Sequence, residues 1–197
     1  MHRQARVHRK TGETEVTAEV VLDGQGRYSV DVASGMLKHL LELLSRHSLI
    51  DITLSAQGET ASGYHHLVED LAIVLGRALS EALGERRGIG RMGHAIVPMD
   101  EALALVAVDL GGRGYAVVEA DFTADEIGDL PSDMVRHFVE SLANEGRMNI
   151  HARLLAGAND HHRAEAIVKA LARSLRDAVR EDTALAGESP TTKGTIG

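Results

Sequence analysis

Apolar residues recur at three- and four-residue steps in two long stretches of the chain. In the first stretch they fall at Val68, Leu71, Leu75, Leu79 and Leu83. In the second they fall at Ala164, Ile167, Leu171, Leu175 and Val179. This spacing places apolar side chains on one face of an α-helix. We therefore predict two amphipathic helices, the first ending at Gly84 and the second capped by Asn159-Asp160.

Shorter segments upstream of these helices alternate apolar and polar residues, which is typical of β-strands with one buried face. They are residues 16–22 (VTAEVVL), 27–32 (RYSVDV), 94–99 (HAIVPM), 102–110 (ALALVAVDL) and 114–121 (GYAVVEAD). Asp-Gly-Gln-Gly at 23–26 predicts a hairpin between the first two strands, and Gly-Gly-Arg-Gly at 111–114 predicts a turn. Residues 123–131 are interpreted as a connection.

The same order of segments occurs twice. Residues 36–82 contain MLKHLLELL, IDITLSAQG and a helix that begins His-His-Leu-Val-Glu, and residues 134–179 contain MVRHFVESL, MNIHARLLAG and a helix that begins His-His-Arg-Ala-Glu. Such an internal repeat determines the architecture. We predict an α+β fold of two duplicated halves, 1–92 and 93–182, each made of antiparallel strands covered by two helices, and a tail at 183–197.

Composition excludes several classes of function. Aromatic residues make up 3% of the 197 residues and Trp is absent, so the core must be aliphatic. The absence of Cys excludes disulfides, thiolate metal ligands and Cys nucleophiles. A formal charge of −8 disfavours general attraction to nucleic acid. With no signal peptide and no membrane span of about 20 apolar residues, we expect a cytoplasmic protein without nucleic-acid or membrane partners.

The strongest chemical signal is the presence of 11 histidines in a chain without Cys. Imidazole together with carboxylate suits Mn, Fe, Zn or Cu. On a helix, His65 and Glu69 share a face, whereas the adjacent His65 and His66 diverge by about 100°. A single His-His-x-x-Glu motif is weak, but its recurrence beside an equivalent upstream His in both halves favours metal binding. Packing alone gives no reason to keep His at a helix N-terminus, where a charged imidazole opposes the helix dipole.

The predicted metal ligands follow the duplication. They are His39, His65, His66, Glu69, His137, His161, His162 and Glu165. Eight ligands in a twofold pattern predict two ions, each with about three His and one carboxylate. The other histidines are interpreted as surface groups: His2 and His8 in an exposed tail, and His47, His94 and His151 at strand ends or on the surface.

These segments resemble the imidazoleglycerol-phosphate dehydratase family over almost the whole chain. The matching motifs are RKTGET (9–14), HLLELLSRH (39–47), HHLVEDLAIVLGRAL (65–79), RRGIGR (86–91), VPMDEALALVAVDLGGR (97–113), RHFVESLA (136–143), NDHHRAEAIVKALARSL (159–175) and SPTTKG (189–194). The resemblance implies a fold like domain 2 of ribosomal protein S5 and a homo-oligomeric 24-subunit shell built from trimers. It also implies two Mn²⁺ ions per active site, held by residues of neighbouring subunits.

The resemblance also implies roles for individual residues. The eight predicted ligands match the family's metal ligands, with His65, His161 and Glu165 counted among the catalytic residues. Glu13 matches a glutamate placed over the substrate and is the candidate for proton transfer. The candidate phosphate contacts are Arg91, Arg113, Thr191 and Lys193, the last two in a tail that closes on the substrate. Arginine, lysine and hydroxyl groups suit a phosphate dianion.

The family reaction removes water from imidazole glycerol phosphate to give imidazole acetol phosphate in histidine biosynthesis, so the expected enzyme is a hydro-lyase. Two alternatives use the same ligands. A dinuclear metallohydrolase could act on a phosphate ester, although such sites usually rely on Asp ligands. A non-enzymatic metal-binding shell would leave Glu13, Arg91 and Lys193 unexplained.

Overall fold

The computed structural model describes residues 3–58, 64–185, 187–192 and 196. The first half contains β1 (Gln4–Lys10), β2 (Thr14–Val21), β3 (Tyr28–Asp31), α1 (Gly35–Ser48), β4 (Asp51–Gly58) and α2 (His65–Leu83). The second half contains β5 (Met92–Met99), β6 (Ala102–Asp109), β7 (Tyr115–Glu119), β8 (Glu126–Ile127), β9 (Leu130–Pro131), α3 (Asp133–Glu145), β10 (Asn149–Ala156) and α4 (Asp160–Val179), followed by a 3₁₀ turn at Thr183–Leu185. Apart from the small β8–β9 pair, both halves have the same order of elements, and the predicted α+β duplication is confirmed.

Each half forms a four-stranded sheet, in the orders β1-β2-β4-β3 and β5-β6-β10-β7. Three strands of each sheet are antiparallel, whereas the edge strands β3 and β7 run parallel to their neighbours. The predicted hairpin between β2 and β3 is therefore wrong, because β4 lies between them. Residues 23–26 instead cross the end of β4, where the Asp51 carboxylate accepts hydrogen bonds of 2.8 Å from the backbone N–H groups of Gln25 and Arg27. Turn residues favour a local backbone shape, but they do not select the strand that joins the sheet.

The strand β1 was not predicted by the apolar pattern. It pairs along its whole length with β2 at the edge of the first sheet. Ala5 and Val7 pack partly against the core, but charged residues surround them, as is common on edge strands. His8 consequently lies on the exposed side of a strand rather than in a tail, and His2 is outside the described residues.

The four helices lie between the two sheets. Helices α1 and α2 pack on the first sheet and α3 and α4 on the second, while α1 contacts α4 and α2 contacts α3 across the middle. The predicted apolar positions of α2 and α4 are all buried in one core that joins both halves. Gly93 permits the close approach of β5 and α4, since a Cβ there would lie 2.0 Å from the carbonyl oxygen of Ser174.

Two of the helix ends follow the sequence prediction. The side chain of Asn159 accepts hydrogen bonds from the backbone N–H groups of His161 and His162 and so caps α4. Helix α2 ends at Gly84, whose φ of 54° lies in the left-handed region. Within the described residues, no helix has the length and apolar character needed to cross a membrane.

The segment 123–131 is more than a connection. It contains the β8–β9 pair, and Asp129 in its turn reaches the start of α1 in the other half. The Asp129 carboxylate accepts hydrogen bonds from the backbone N–H groups of Gly35 (2.7 Å) and Met36 (2.9 Å) and from the Ser34 hydroxyl (2.8 Å). A carboxylate at a helix N-terminus satisfies N–H groups that have no partner within the helix.

Candidate metal and phosphate sites

Helices α1 and α4 bring His39, His161 and Glu165 together. The Nε2 atoms of His39 and His161 lie 2.8 and 2.9 Å from the same Glu165 oxygen. The two rings stack with their centroids 5.6 Å apart. Lys169, one turn further along α4, places its ammonium 2.5 Å from the other Glu165 oxygen. We call His39, His161 and Glu165 the first cluster.

The carboxyl group of Glu165 is ionised. Burial, which leaves 6% of the residue exposed, would by itself raise its pKa. Hydrogen bonds from Lys169, His39 and His161 outweigh burial and lower the pKa of Glu165 to about 2. Two imidazoles and a carboxylate thus converge on one point, and a divalent cation could take the place of the ring protons there.

Helices α2 and α3 form a second cluster from His65, Glu69 and His137. The rings of His65 and His137 stack with their centroids 4.3 Å apart and their planes 18° apart. Ligand atoms of the three residues lie within 4.8 Å of one another. The Nε2 atom of His137 is buried and has no hydrogen-bond partner among the residues that the structure describes. Because coordination would satisfy this nitrogen, the cluster fits a metal ion.

Each cluster combines ligands from both halves, because the helices pair across the middle of the molecule. Over residues 3–58, 64–185, 187–192 and 196, these two clusters are the groups of three or more His and carboxylate residues that could hold a metal ion. Together they contain six of the eight predicted ligands. Within one chain, each cluster has two imidazoles and one carboxylate, which is one imidazole fewer than the sequence predicted.

The other two predicted ligands, His66 and His162, lie outside the clusters. Each ring is nearly perpendicular to that of the preceding histidine, at 83° and 81°. The Nδ1 atom of His66 lies 3.1 Å from the Glu13 carboxylate, but without hydrogen-bond geometry. The Nδ1 atom of His162 hydrogen-bonds to Glu101 at 2.7 Å. Both histidines therefore contact carboxylates in the turns that precede β2 and β6.

The candidate phosphate contacts Arg91, Arg113 and Thr191 line one cavity of about 660 Å³. Residues 189–192 of the tail form part of its wall. Lys193 lies outside the described residues. The structure thus brings both arginines and the tail hydroxyl to one cavity, whose lining includes no residue of the two clusters.

Arg91 connects the tail to the second sheet. Its Nε and Nη2 atoms donate to Asp109 at 2.7 and 3.1 Å, and its Nη1 atom donates to the carbonyl oxygen of Pro190 at 2.9 Å. The hydrogen bond with Asp109 raises the pKa of Arg91 above its ordinary value. A backbone hydrogen bond of 2.8 Å from Gly88 to Glu188 also joins the tail to the loop before β5.

The cavity lined by Arg91 and the first cluster lie at opposite ends of α4. Glu165 is in the first turns of this helix, whereas the carbonyl oxygen of Ala178 near its other end accepts a hydrogen bond from Arg91 N–H. At a rise of 1.5 Å per residue, the helix from Glu165 to Ala178 is about 20 Å long. The first cluster and the candidate phosphate contacts of one chain are therefore far apart.

Three residues of these sites were not singled out by the sequence analysis. Lys169 could have been found, because it follows Glu165 by four residues on a predicted helix. Glu101 could also have been found, since it directly precedes β6 as Glu13 directly precedes β2. No feature of the sequence predicts the contact of Asp109 with Arg91.

Comparison with known proteins places the chain in a family. The family model described as imidazoleglycerol-phosphate dehydratase matches residues 32–175. The imidazoleglycerol-phosphate dehydratase of Chloroflexus aurantiacus is 50% identical over 194 residues, which cover 98% of this chain and 95% of that protein. The dehydratase of Methanothermobacter thermautotrophicus is 51% identical over 188 residues, covering 95% of each chain.

Solved structures agree with these matches. A crystal structure of imidazoleglycerol-phosphate dehydratase from Staphylococcus aureus is similar with a TM-score of 0.81 at 31% identity, covering 90% of this chain and 99% of that one. The Pyrococcus furiosus structure has a TM-score of 0.83 at 33% identity, covering 96% of this chain and 100% of that one. The predicted resemblance and the predicted enzyme class, a hydro-lyase of histidine biosynthesis, are confirmed. The chain belongs to the imidazoleglycerol-phosphate dehydratase family.

Proposed function

We propose that this chain dehydrates imidazole glycerol phosphate to imidazole acetol phosphate, as a manganese-dependent hydro-lyase. The observation that carries the proposal is the pair of His and carboxylate clusters, related by the duplication, in a chain of the dehydratase family. An imidazole ring has two nitrogens on different sides, so a substrate with this ring suits a site with two ions. A phosphate cavity elsewhere on the chain supplies the second part of the recognition.

The proposed metal ligands are those that the sequence predicted. One ion would be held by His39, His161 and Glu165, the other by His65, Glu69 and His137, and His66 and His162 of neighbouring copies would complete the two sets. His-rich ligation with a carboxylate suits Mn²⁺ among other divalent ions. When bound, Mn²⁺ would supply Lewis acidity that stabilises the electron-rich imidazole ring, so that hydroxide can leave the carbon attached to the ring and a proton can leave the next carbon.

A second group of residues, outside the metal ligands, would bind the substrate and transfer protons. Arg91, Arg113, Thr191 and Lys193 would hold the phosphate dianion, far from the reacting carbons, and so orient the substrate. The tail at 183–197 would close over it and exclude water. Glu13 lies in the turn between β1 and β2 with 55% of its side chain exposed, beside the predicted ligand His66. In this proposal the Glu13 carboxylate carries a proton to or from the substrate.

The active site would be shared between subunits. Five bonds of about 1.5 Å separate the ring from the phosphorus of the substrate, so its reach is less than about 8 Å. The helix between Glu165 and Ala178 is about 20 Å long, which is much greater than this reach. The metal ligands and the phosphate contacts of one active site must then come from different copies of the chain. This requirement supports a homo-oligomer. The resemblance to the family implies 24 subunits.

The proposed reaction is tested by assaying metal-stripped protein with imidazole glycerol phosphate before and after Mn²⁺ is restored. We expect no activity without metal and formation of imidazole acetol phosphate once Mn²⁺ is added. Release of inorganic phosphate instead would indicate a metallohydrolase. Metal binding without turnover of the substrate would indicate a metal-binding shell. Either result would contradict the proposal.

Sharing of the site between subunits has its own test. His161→Ala removes a metal ligand and Arg91→Ala removes a phosphate contact, so each variant alone should be inactive. When the two variants are dissociated, mixed and reassembled, some sites would combine the intact ligands of one chain with the intact arginine of another. Activity should then reappear. Mixed particles of confirmed composition that stay inactive would show that each site is built within one chain.

The division into halves, the location in the cell and the partners are also proposals. The halves 1–92 and 93–182 are proposed as the repeated units. We also propose that the enzyme works in the cytoplasm on its small phosphorylated substrate, without nucleic-acid or membrane partners.

A further inference from the structure

The carboxylate of Glu101 is held at three points in the turn between β5 and β6. One oxygen lies 2.7 Å from the Nδ1 atom of His162. The other accepts hydrogen bonds from the backbone N–H groups of Ala158 (3.1 Å) and Asn159 (2.8 Å). Asn159 in turn caps α4, the helix that carries His162. The carboxylate, the imidazole ring and the start of the helix therefore form one connected unit.

This contact determines which ring nitrogen of His162 is available. A carboxylate accepts a hydrogen bond from Nδ1 only when the proton is on Nδ1, and the lone pair of the neutral ring is then on Nε2. The carboxylate of Asp100 is 3.7 Å from Nε2, which exceeds hydrogen-bond distance. The side chain of His162 is 26% exposed and belongs to neither cluster of its own chain.

We propose that Glu101 is a positioning residue that holds His162 with Nε2 as its metal-binding nitrogen. The inference rests on the proposed function, in which His162 completes the metal site of a neighbouring copy. A carboxylate partner makes the imidazole a stronger ligand and prevents rotation of the ring. Because the backbone at Ala158 and Asn159 fixes the other oxygen of Glu101, the ring is held relative to the whole helix.

The duplicated half provides an internal comparison. Glu13 precedes β2 as Glu101 precedes β6, and Glu13 lies beside His66 as Glu101 lies beside His162. The 3.1 Å approach of Glu13 to His66 lacks hydrogen-bond geometry, whereas the 2.7 Å contact of Glu101 is a hydrogen bond. Equivalent carboxylates thus have different tasks: Glu101 orients a ligand, and Glu13 carries protons in the proposed reaction.

The test measures Mn²⁺ binding rather than turnover. Metal-stripped protein is titrated with Mn²⁺, and the concentration that gives half-loading is compared between variants. We expect Glu101→Ala to raise this concentration about 10- to 100-fold, the usual effect of removing the partner of a metal-bound histidine. Glu101→Gln keeps an acceptor oxygen, so its half-loading concentration should rise less than that of Glu101→Ala. Asp100→Asn, in the same turn, should change it by less than about threefold, since exposed charge pairs contribute little. If Asp100→Asn raised the half-loading concentration as much as Glu101→Ala does, the positioning role of Glu101 would be overturned.

A double-mutant cycle with His162→Ala identifies the residue through which Glu101 acts. If Glu101 acts through His162, then Glu101→Ala should have no further effect on Mn²⁺ loading in the His162→Ala protein. The same loss in both backgrounds would overturn the inference. So would lowered thermal stability with unchanged Mn²⁺ loading, which indicates support of the loop alone. If His162→Ala itself leaves loading unchanged, the proposed ligand set is wrong, and this failure is distinct from failure of the Glu101 assignment.

Discussion

The Nε2 atom of His39 lies 2.8 Å from the carboxylate of Glu165, although the two residues are 126 positions apart in the chain. The contact joins the first helix of one half to the last helix of the other. The reciprocal pairing of α2 with α3 stacks His65 on His137 at 4.3 Å. The duplication therefore places both clusters where the halves meet, and we expect that each cluster can be disrupted separately.

Replacing His39 with Ala should remove metal from the first cluster only, and replacing His137 with Ala should remove it from the second only. Each variant is expected to keep about half of the wild-type manganese, because the two proposed ions would be held by different clusters. Metal per chain after dialysis is measured by mass spectrometry. His94→Ala, an exposed change on β5, is the control and should keep full loading. Full loading in both cluster variants would contradict the separation of the clusters.

His65→Ala and His161→Ala should abolish most of the catalytic activity and leave the fold intact, since both residues are exposed at helix starts. Leu71→Ala should instead destabilise the protein by about 2–5 kcal/mol, because Leu71 is fully buried in the core. Urea unfolding at one protein concentration, together with the dehydratase assay, distinguishes variants that lose activity from the variant that loses stability. Normal Mn²⁺ binding and turnover in both His variants would show that the repeated motif is not a ligand set.

Asp129 should stabilise the fold in a pH-dependent way. Burial raises its pKa, but hydrogen bonds from Met36, Ser34 and Gly35 outweigh this effect and lower the pKa below its ordinary value of 3.8. A lowered carboxyl pKa stabilises the folded state above the ordinary value, and this contribution is lost as the pH falls through the lowered one. Asp129→Ala should cost about 0.5–2 kcal/mol at neutral pH, in the lower part of that range because the group is partly solvated.

Unfolding of wild type and Asp129→Ala is compared at neutral pH and at about pH 3, and the difference between them should shrink at the lower pH. Asp125→Ala, an exposed change in the same segment, is the matched control. A difference that stays constant between the two pH values would mean that the charge of Asp129 does not matter.

Removal of residues 187–197 should leave assembly and metal content unchanged, because all six cluster residues precede this segment in the chain. It should raise KM and lower kcat together, since the tail contacts Arg91 and would close on the phosphate. Lys193→Ala should lose about 1.5–3 kcal/mol of transition-state stabilisation, as expected for one charge-assisted contact. Steady-state kinetics decide the matter. Unchanged kinetics in the truncated enzyme would leave Arg91 and Arg113 to bind the phosphate without the tail.

Local spacing was sufficient for much of the fold. The stripes of α2 and α4, the cap at Asn159 and the stop at Gly84 all depend on residues a few positions apart, and all are present. The strand β1 was missed because charged residues on a sheet edge hide its alternation. The hairpin at 23–26 was predicted wrongly because a turn signal does not reveal that β4 lies between β2 and β3.

The sequence by itself determined the duplication, the family and the repeated His-His-x-x-Glu motif, because these are properties of residue order and short spacing. Only the tertiary structure decided which residues meet. It paired His39 with Glu165 and His65 with His137, placed Glu101 on His162, and put the Arg91 cavity at the far end of α4. The physical reason is that an apolar stripe specifies which face of a helix is buried but not which helix covers it. The composition of each cluster therefore follows from the packing of α1 on α4 and of α2 on α3.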